Sequence, residues 1–482
     1  MDKVSVGLMT MAYLLSTSCT NVREEEKSPP KYNVFMIIVD DQKPLLGSYV
    51  QTPNFDRLSK EALFFNHAYC NAPACGPSRA SFLTGLHPST SGVYYNNQNF
   101  REAEGWVSEV VDLPGHFKNN GYLTANFGKT FHHGGLLTKE SFTDGYFYGQ
   151  YHSNKLKEEV IEVTDLGHIF WSFGPLPDEF DREDTARMQI DTRNTNRAID
   201  LLQQDIADPF FISLGVYKPH GPWYSAQRYF DMYPIEDINI PDSYLEDDLD
   251  DLPEIARMLA THRGWHKEIT ERNLWEKTLQ AYYASITYAD EQLGRVLDAL
   301  ENSQYANNTI IVFFGDNGFH TGEKNSWSKF KLWDLATRVP MMIALPGDFP
   351  MSGKVYGQPV SLLDIYPTLV ELCKLPNPGS HDLDGSSLLP VLKGNDKYKR
   401  APVISTWGRK NHAVIGEDYY YISYRNGSEE LYNMDDDMYQ WRNLANDKAY
   451  RNIIDSLSYF FPKVNAEAMS ARPYGASFDP FQ

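Results

Sequence analysis

Cys75 opens the stretch CGPSRASFLTG at residues 75–85, and what it can do depends on its surroundings. Pro77 suits the first turn of a helix, where its missing N–H costs nothing. A helix over 77–83 would set Cys75 beside a positive N-terminal end, which favours an anionic group. Two acidic pairs stand in comparable places. Asp40 and Asp41 follow the apolar run NVFMIIV, and Asp316 and Asn317 follow TIIVFFG. Either pair alone reads as a turn. Three carboxylates and an amide oxygen at the ends of two buried strands make a hard oxygen site, suited to Ca²⁺ or Mg²⁺ rather than zinc. Basic residues recur in the same relation: Lys129 and His132 after the apolar run from Tyr122, Lys218 and His220 after the run from Phe210, and Lys329 beyond the second acidic pair. Histidine exchanges protons near neutral pH, which suits it to acid–base work.

Such residues need strands that end at one edge. Short continuous apolar runs at 33–39, 122–127, 209–216, 309–314 and 339–345 read as buried strands. Helical spacing covers 55–65, 113–119, 192–204, 274–300 and 362–373. The alternation predicts an α/β sheet sandwiched by helices, with ligands at the carboxyl ends of its strands. After about residue 375 short strands crowd together at 401–406, 412–415, 419–424 and 430–433, so antiparallel pairing is expected, with a last helix at 450–461. Segments 136–190 and 224–272 lack clear periodicity and read as long loops over one end of the sheet. The expected division is 32–375 for the main domain and 376–482 for a smaller C-terminal subdomain.

The 75–85 stretch matches C-x-P-S-R-x-x-x-L-T-G at every fixed position. With NVFMIIVDD, GKTFHHG, YKPHGPW and the segment 315–340, it resembles the type I sulfatase family, nearest its iduronate-2-sulfatase branch. That resemblance implies an alkaline-phosphatase-like mixed sheet and oxidation of Cys75 to formylglycine (3-oxoalanine) by a formylglycine-generating maturation enzyme. One hydroxyl of the hydrated aldehyde would attack sulfur and displace the alcohol; the other would lose its proton, and the hemiacetal would collapse to expel sulfate. By the same resemblance Asp40, Asp41, Asp316, Asn317 and the modified Cys75 hold Ca²⁺, or else Mg²⁺. Asn317 stands where the iduronate-2-sulfatase branch has His and many other sulfatases have Asn. Arg79 would hold the hydrate, Lys129 the sulfate, and Lys329 the bridging oxygen. His132 would act as the base and His220 as the proton donor to the leaving group. Tyr94, Asn99 and Arg101, after the nucleophile helix, are candidate sugar contacts, as is His320. An Arg fork at 101 fits a uronate carboxylate. The implied substrate is a sulfated oligo- or polysaccharide containing uronate, such as a glycosaminoglycan or ulvan.

Lys and Arg number 44 against 64 Asp and Glu, a net charge of −20, which argues against nucleic-acid binding. An anionic substrate remains compatible, because a basic cluster can sit inside an acidic shell. Four cysteines make no disulfide framework, and Cys70 and Cys373 read as buried thiols. Residues 4–15 are apolar but too short to span a bilayer, and they lead into LSTSC. This resembles a bacterial lipoprotein signal over 1–19, of the Bacteroidota surface type, with Cys19 lipidated and 20–31 as a tether. An exported protein at the outer membrane or cell surface, or otherwise in the periplasm, is the expectation. Two other readings compete: a phosphomonoesterase or phosphodiesterase of the alkaline phosphatase superfamily, and a non-catalytic glycan-binding protein.

Overall fold

A computed structural model describes residues 31–44, 49–132, 139–148, 159–166, 172–181, 189–347, 349–395 and 397–470. The signal peptide, Cys19 and the tether expected before Lys31 lie outside them. The central strands are β1 (Asn33–Asp40), β2 (Leu63–Tyr69), β3 (Leu123–Gly128), β4 (Phe147–Tyr148), β5 (Phe210–Pro219), β6 (Thr309–Gly315), β7 (Arg338–Ala344), β8 (Val355–Tyr356) and β9 (Val360–Ser361). They form one mixed sheet in the order β8-β2-β7-β6-β1-β5-β3-β4, with β9 also on β2. β7 runs antiparallel to β2 and β6, while β6, β1, β5 and β3 are mutually parallel. Four carboxyl ends therefore emerge side by side, two carrying Asp40 and Lys218 and two leading directly into Asp316 and Lys129.

Strand alternation explains why β1 is apolar throughout. Val34, Met36 and Ile38 enter one core cluster, and Phe35, Ile37 and Val39 enter the other, on the opposite face. The first face is covered by α2 (Cys75–Thr84), α3 (Leu113–Asn119) and α6 (Ile365–Leu372), through residues such as Phe82, Phe117 and Leu369. The second is covered by α1 (Pro53–Ser59), α4 (Ile190–Leu202) and the long α5 (Trp275–Glu301), through Leu58, Leu201 and Leu293. β10 (Val403–Thr406), β11 (His412–Ile415), β12 (Tyr419–Ser423) and β13 (Glu429–Asn433) make an antiparallel sheet in sequence order. α7 (Arg451–Ser458) packs Ile454 and Leu457 against Val414, Tyr421 and Leu431 of that sheet. The mixed sheet between helices, followed by an antiparallel sheet, matches the expected fold class.

Two readings change. The helical spacing at 55–65 breaks: α1 ends at Ser59, and β2 begins at Leu63. The pairing of Phe64 and Phe65 with Met342 and Met341 overrides the local spacing. The supposed loop segments carry structure as well. Ser172–Leu176 pairs parallel to Trp223–Ala226, and two short helices cover Glu254–Thr261 and Trp265–Glu271. In the first of these helices Ile255, Ala256, Leu259 and Ala260 are buried, which is a helical stripe one turn long.

Candidate active site

Cys75 is the first residue of α2, fully buried, with Ala74 extended before it. Gly76 donates its N–H to Asn96 Oδ1 at 2.8 Å, which ties the helix start to the loop that follows the helix. Ser78 donates to the Asp316 carbonyl, so α2 is also fixed to the end of β6. The sulfur lies 3.1 Å from Asp40 Oδ1 and 3.6 Å from Asp41 Oδ1, with Lys329 Nζ at 2.6 Å. Lys129 is ion-paired with Asp40, and Lys329 with Asp41. Arg79 donates from Nε to Asp316 Oδ2 at 2.8 Å, approaches Asp40 at 3.5 Å and donates to the Lys129 carbonyl.

Backbone detail places these groups. Asp41 sits at φ 63, a left-handed conformation costly for a non-glycine residue. Its N–H is held by Asp316 Oδ1 at 3.1 Å, and its carbonyl accepts from the Tyr282 hydroxyl at 2.8 Å. Lys129 leaves β3 by crossing Gly215 of β5; a Cβ at 215 would lie 2.0 Å from the Lys129 carbonyl oxygen. Asp191, on α4, accepts the Tyr217 and Lys218 N–H groups at 2.8 and 3.0 Å, which sets the end of β5. His220 follows, with Nδ1 2.6 Å from the Gly221 carbonyl. Facing a carbonyl, Nδ1 carries the hydrogen, so Nε2 is the nitrogen left to exchange a proton; it lies 3.7 Å from Asp41 Oδ2.

Asp40, Asp41, Cys75 and Asp316 each offer a ligand atom, all within 4.8 Å of one another. Burial pushes the Asp40 carboxyl up, but Lys129, His220, Arg79 and Lys329 together hold it well below the usual carboxylate range. Asp316 is pushed up to about 7 by burial, with Arg79 opposing and Asp40 and Asp41 adding to the rise. Burial and the Asp40 charge push the Cys75 thiol up, and burial brings His220 down to about 4. Asp41 Oδ2 and Asn317 Oδ1 are buried without a hydrogen-bond partner. Crowded carboxylates with unspent oxygens fit a hard divalent cation.

The remaining expected residues divide. His132 and Asn99 line a cavity of about 20 Å³ with Gly76 and Arg79. Arg101 is not open to a carboxylate ligand: it is ion-paired with Asp112, and its Nη1 donates to the Val110 carbonyl at 2.7 Å. Tyr94 is buried and donates its hydroxyl to the Ala466 carbonyl at 2.9 Å. His320 is buried, 5.9 Å from the Trp333 ring. The chain after α2 thus turns inward at Tyr94 and Arg101. Sequence reasoning missed Asp191, Tyr282 and Lys331, which act through backbone contacts and carry no motif.

A buried nucleophile position at a helix start, facing carboxylates and cations at parallel strand ends, defines a hydrolase of anionic esters on an alkaline-phosphatase-like fold. A family model described as Sulfatase matches residues 32–375, and one described as N-sulphoglucosamine sulphohydrolase, C-terminal, matches 322–467. The chain belongs to the sulfatase family and is a sulfuric ester hydrolase. It is 35% identical to a sulfatase of Formosa agariphila, over 97% of this chain and 93% of that one. It is 32% identical to the iduronate 2-sulfatase of Homo sapiens, over 80% of this chain and 74% of that one. A solved 2-O GAG sulfatase superposes with TM-score 0.70 at 23% identity, covering 89% of this chain and 91% of the other, which shows a shared fold.

Proposed function

We propose that this sulfatase desulfates a uronate-containing carbohydrate, with Cys75 oxidised to formylglycine and Ca²⁺ held by Asp40, Asp41, Asp316 and Asn317. The observation that carries the reading is the sulfur of Cys75, 3.1 Å from Asp40 and 2.6 Å from the Lys329 ammonium. An oxygen nucleophile generated there would face cations suited to a sulfuryl group. A bound divalent cation would polarise the sulfuryl oxygens.

The chain's own groups supply the rest. Arg79, locked to Asp316, and Lys129, locked to Asp40, fix the carboxylates and keep positive charge beside position 75. Lys329 spans Asp41 and the nucleophile, where it can hold the ester's bridging oxygen. His220, with Nδ1 fixed, can pass a proton from Nε2 to the leaving alcohol once an anion in the site favours its charged form. His132 lines the adjoining cavity, where it can take the proton that lets the intermediate collapse. The carbohydrate reading draws on the relatives named for iduronate and for GAG. Export and a lipid at Cys19 belong to the same proposal, and labelled palmitate incorporation tests them.

Protein coexpressed with a formylglycine-generating enzyme should show, by mass spectrometry, an aldehyde in place of the thiol at residue 75. It should release sulfate from defined sulfated oligosaccharides, and hydrolyse aryl sulfate well ahead of aryl phosphate. Cys75→Ala should abolish turnover, and unchanged turnover would refute the mechanism.

A further inference from the structure

A second cavity, of about 430 Å³, lies away from Cys75. His87, just beyond the C-terminal end of α2, and Val403 and Ile404 of β10 line it. The two ends of a ten-residue helix stand about 15 Å apart at 1.5 Å per residue. None of the residues gathered around Cys75 borders this cavity.

Its charges are uneven. Lys399, Arg400 and Lys463 line it, against Asp364 and Asp384. Both acids are engaged by the protein, as is Lys463, whose ammonium donates to the Tyr459 carbonyl at 3.0 Å. Asp364 pairs with Arg400 and accepts the Ser361 and Ser386 N–H groups, each at 2.8 Å. Asp384 accepts the His87 N–H at 2.8 Å. The Arg400 side chain is 8% exposed, yet its Nε and Nη1 have no hydrogen-bond partner. A buried guanidinium with unspent donors is costly, and its fork matches a carboxylate or sulfate. Such a basic lining stands out in a chain of net charge −20. Tyr398 and Leu363 add apolar surface, while Asn71 and Ser361 add polar groups. The volume falls in the range of small-ligand sites, enough for one or two sugar rings.

We propose that this cavity is a second saccharide-binding site, taking an acidic sugar unit of the same polymer that is desulfated at Cys75. The assignment rests on the carbohydrate reading above. Engagement of two points on one chain raises the effective concentration of ester at the active site without any new catalytic contact.

The full-length Cys75→Ala protein, which turns nothing over, is titrated calorimetrically with hexasaccharides of heparin, chondroitin sulfate, carrageenan and ulvan and with their desulfated forms. At least one sulfated hexasaccharide should bind with two sites per chain. Lys399→Ala/Lys463→Ala should weaken one site at least tenfold and leave the other unchanged. With Cys75 intact, the same double substitution should leave aryl sulfate turnover within twofold of the parent. One site on every probe, or unchanged affinity in the double variant, overturns the proposal. So does complete displacement of saccharide from this site by an equal concentration of inorganic sulfate, which would mark a simple anion site. Failure of the carbohydrate reading shows separately, as no release of sulfate from these oligosaccharides by protein with Cys75 intact.

Discussion

Lys331 is buried to 1% exposure, and among the described residues no carboxylate lies within ion-pair reach of it. Burial, then the nearby charge of Arg263, brings its ammonium well below the usual lysine range. Its Nζ donates to Ser328 Oγ at 3.0 Å and to the Lys329 carbonyl at 2.9 Å. Between Lys329 and Lys331, Phe330 takes φ 75, an outlier for a bulky side chain, held by its N–H to the Pro73 carbonyl at 2.9 Å and by its ring 5.2 Å from Trp407. Lys331 therefore acts as a positioning residue, bracing the strained turn that aims Lys329 at Cys75. Lys331→Met should lower kcat ten- to a hundredfold through misplacement of Lys329, with KM nearly unchanged. Thermal stability should change little, since methionine keeps the buried aliphatic stem and removes a poorly solvated amine along with its two hydrogen bonds. A kcat within twofold of the parent would remove Lys331 from this role.

Elements succeed at placing the site where a strand can end without clashing with its neighbour. Lys129 reaches Asp40 because β5 has Gly215 beside it, so Gly215→Ala should shift the Lys129 backbone. Soluble yield should fall, and the protein that folds should lose at least tenfold in kcat/KM; unchanged kinetics with unchanged yield would contradict the crossing argument. β1 and β6 were readable in the sequence because burial on both faces leaves no polar residue to break the run. Asp40, Asp41, Asp316 and Asn317 were readable because two polar pairs each stand directly after such a run, where either alone would read as a turn. β2 was not readable, since LFFNHAY continues a helical spacing and only its pairing with β7 decides its state. Arg101 and Tyr94 have the chemistry of ligand contacts. Whether such a group faces outward or is consumed by Asp112 or the Ala466 carbonyl depends on contacts across the fold that no local pattern records.

Across the whole molecule, the segment carrying Lys329 is fastened to several distant parts of the chain. Trp333 Nε1 donates to Glu430 Oε2 at 2.7 Å, and the Tyr420 hydroxyl donates to the Leu332 carbonyl at 2.6 Å, which binds the segment to the C-terminal sheet. Glu323 makes two more attachments: an ion pair with Lys43 at 2.8 Å, just past the Asp40-Asp41 pair, and a hydrogen bond from Ser243 at 3.0 Å. Burial pushes the Glu323 carboxyl up, but Lys43, His320 and the Thr321 N–H win and hold it at about 2, against an ordinary 4.5. A carboxyl lowered in the folded state stabilises it above the unfolded value and loses that contribution as pH falls from about 4.5 toward 2. The difference corresponds to about 3.5 kcal/mol at neutral pH, taking about 1.4 kcal/mol per pKa unit. Glu323→Gln should therefore melt several degrees below the parent at pH 6, and the gap should narrow steadily between pH 5 and pH 3. Thermal melts of both proteins across that range check the assignment. A gap that stays constant with pH would mean that Glu323 contributes through shape and neutral hydrogen bonding, and that its charge does not tie the Asp41 loop to the Lys329 segment.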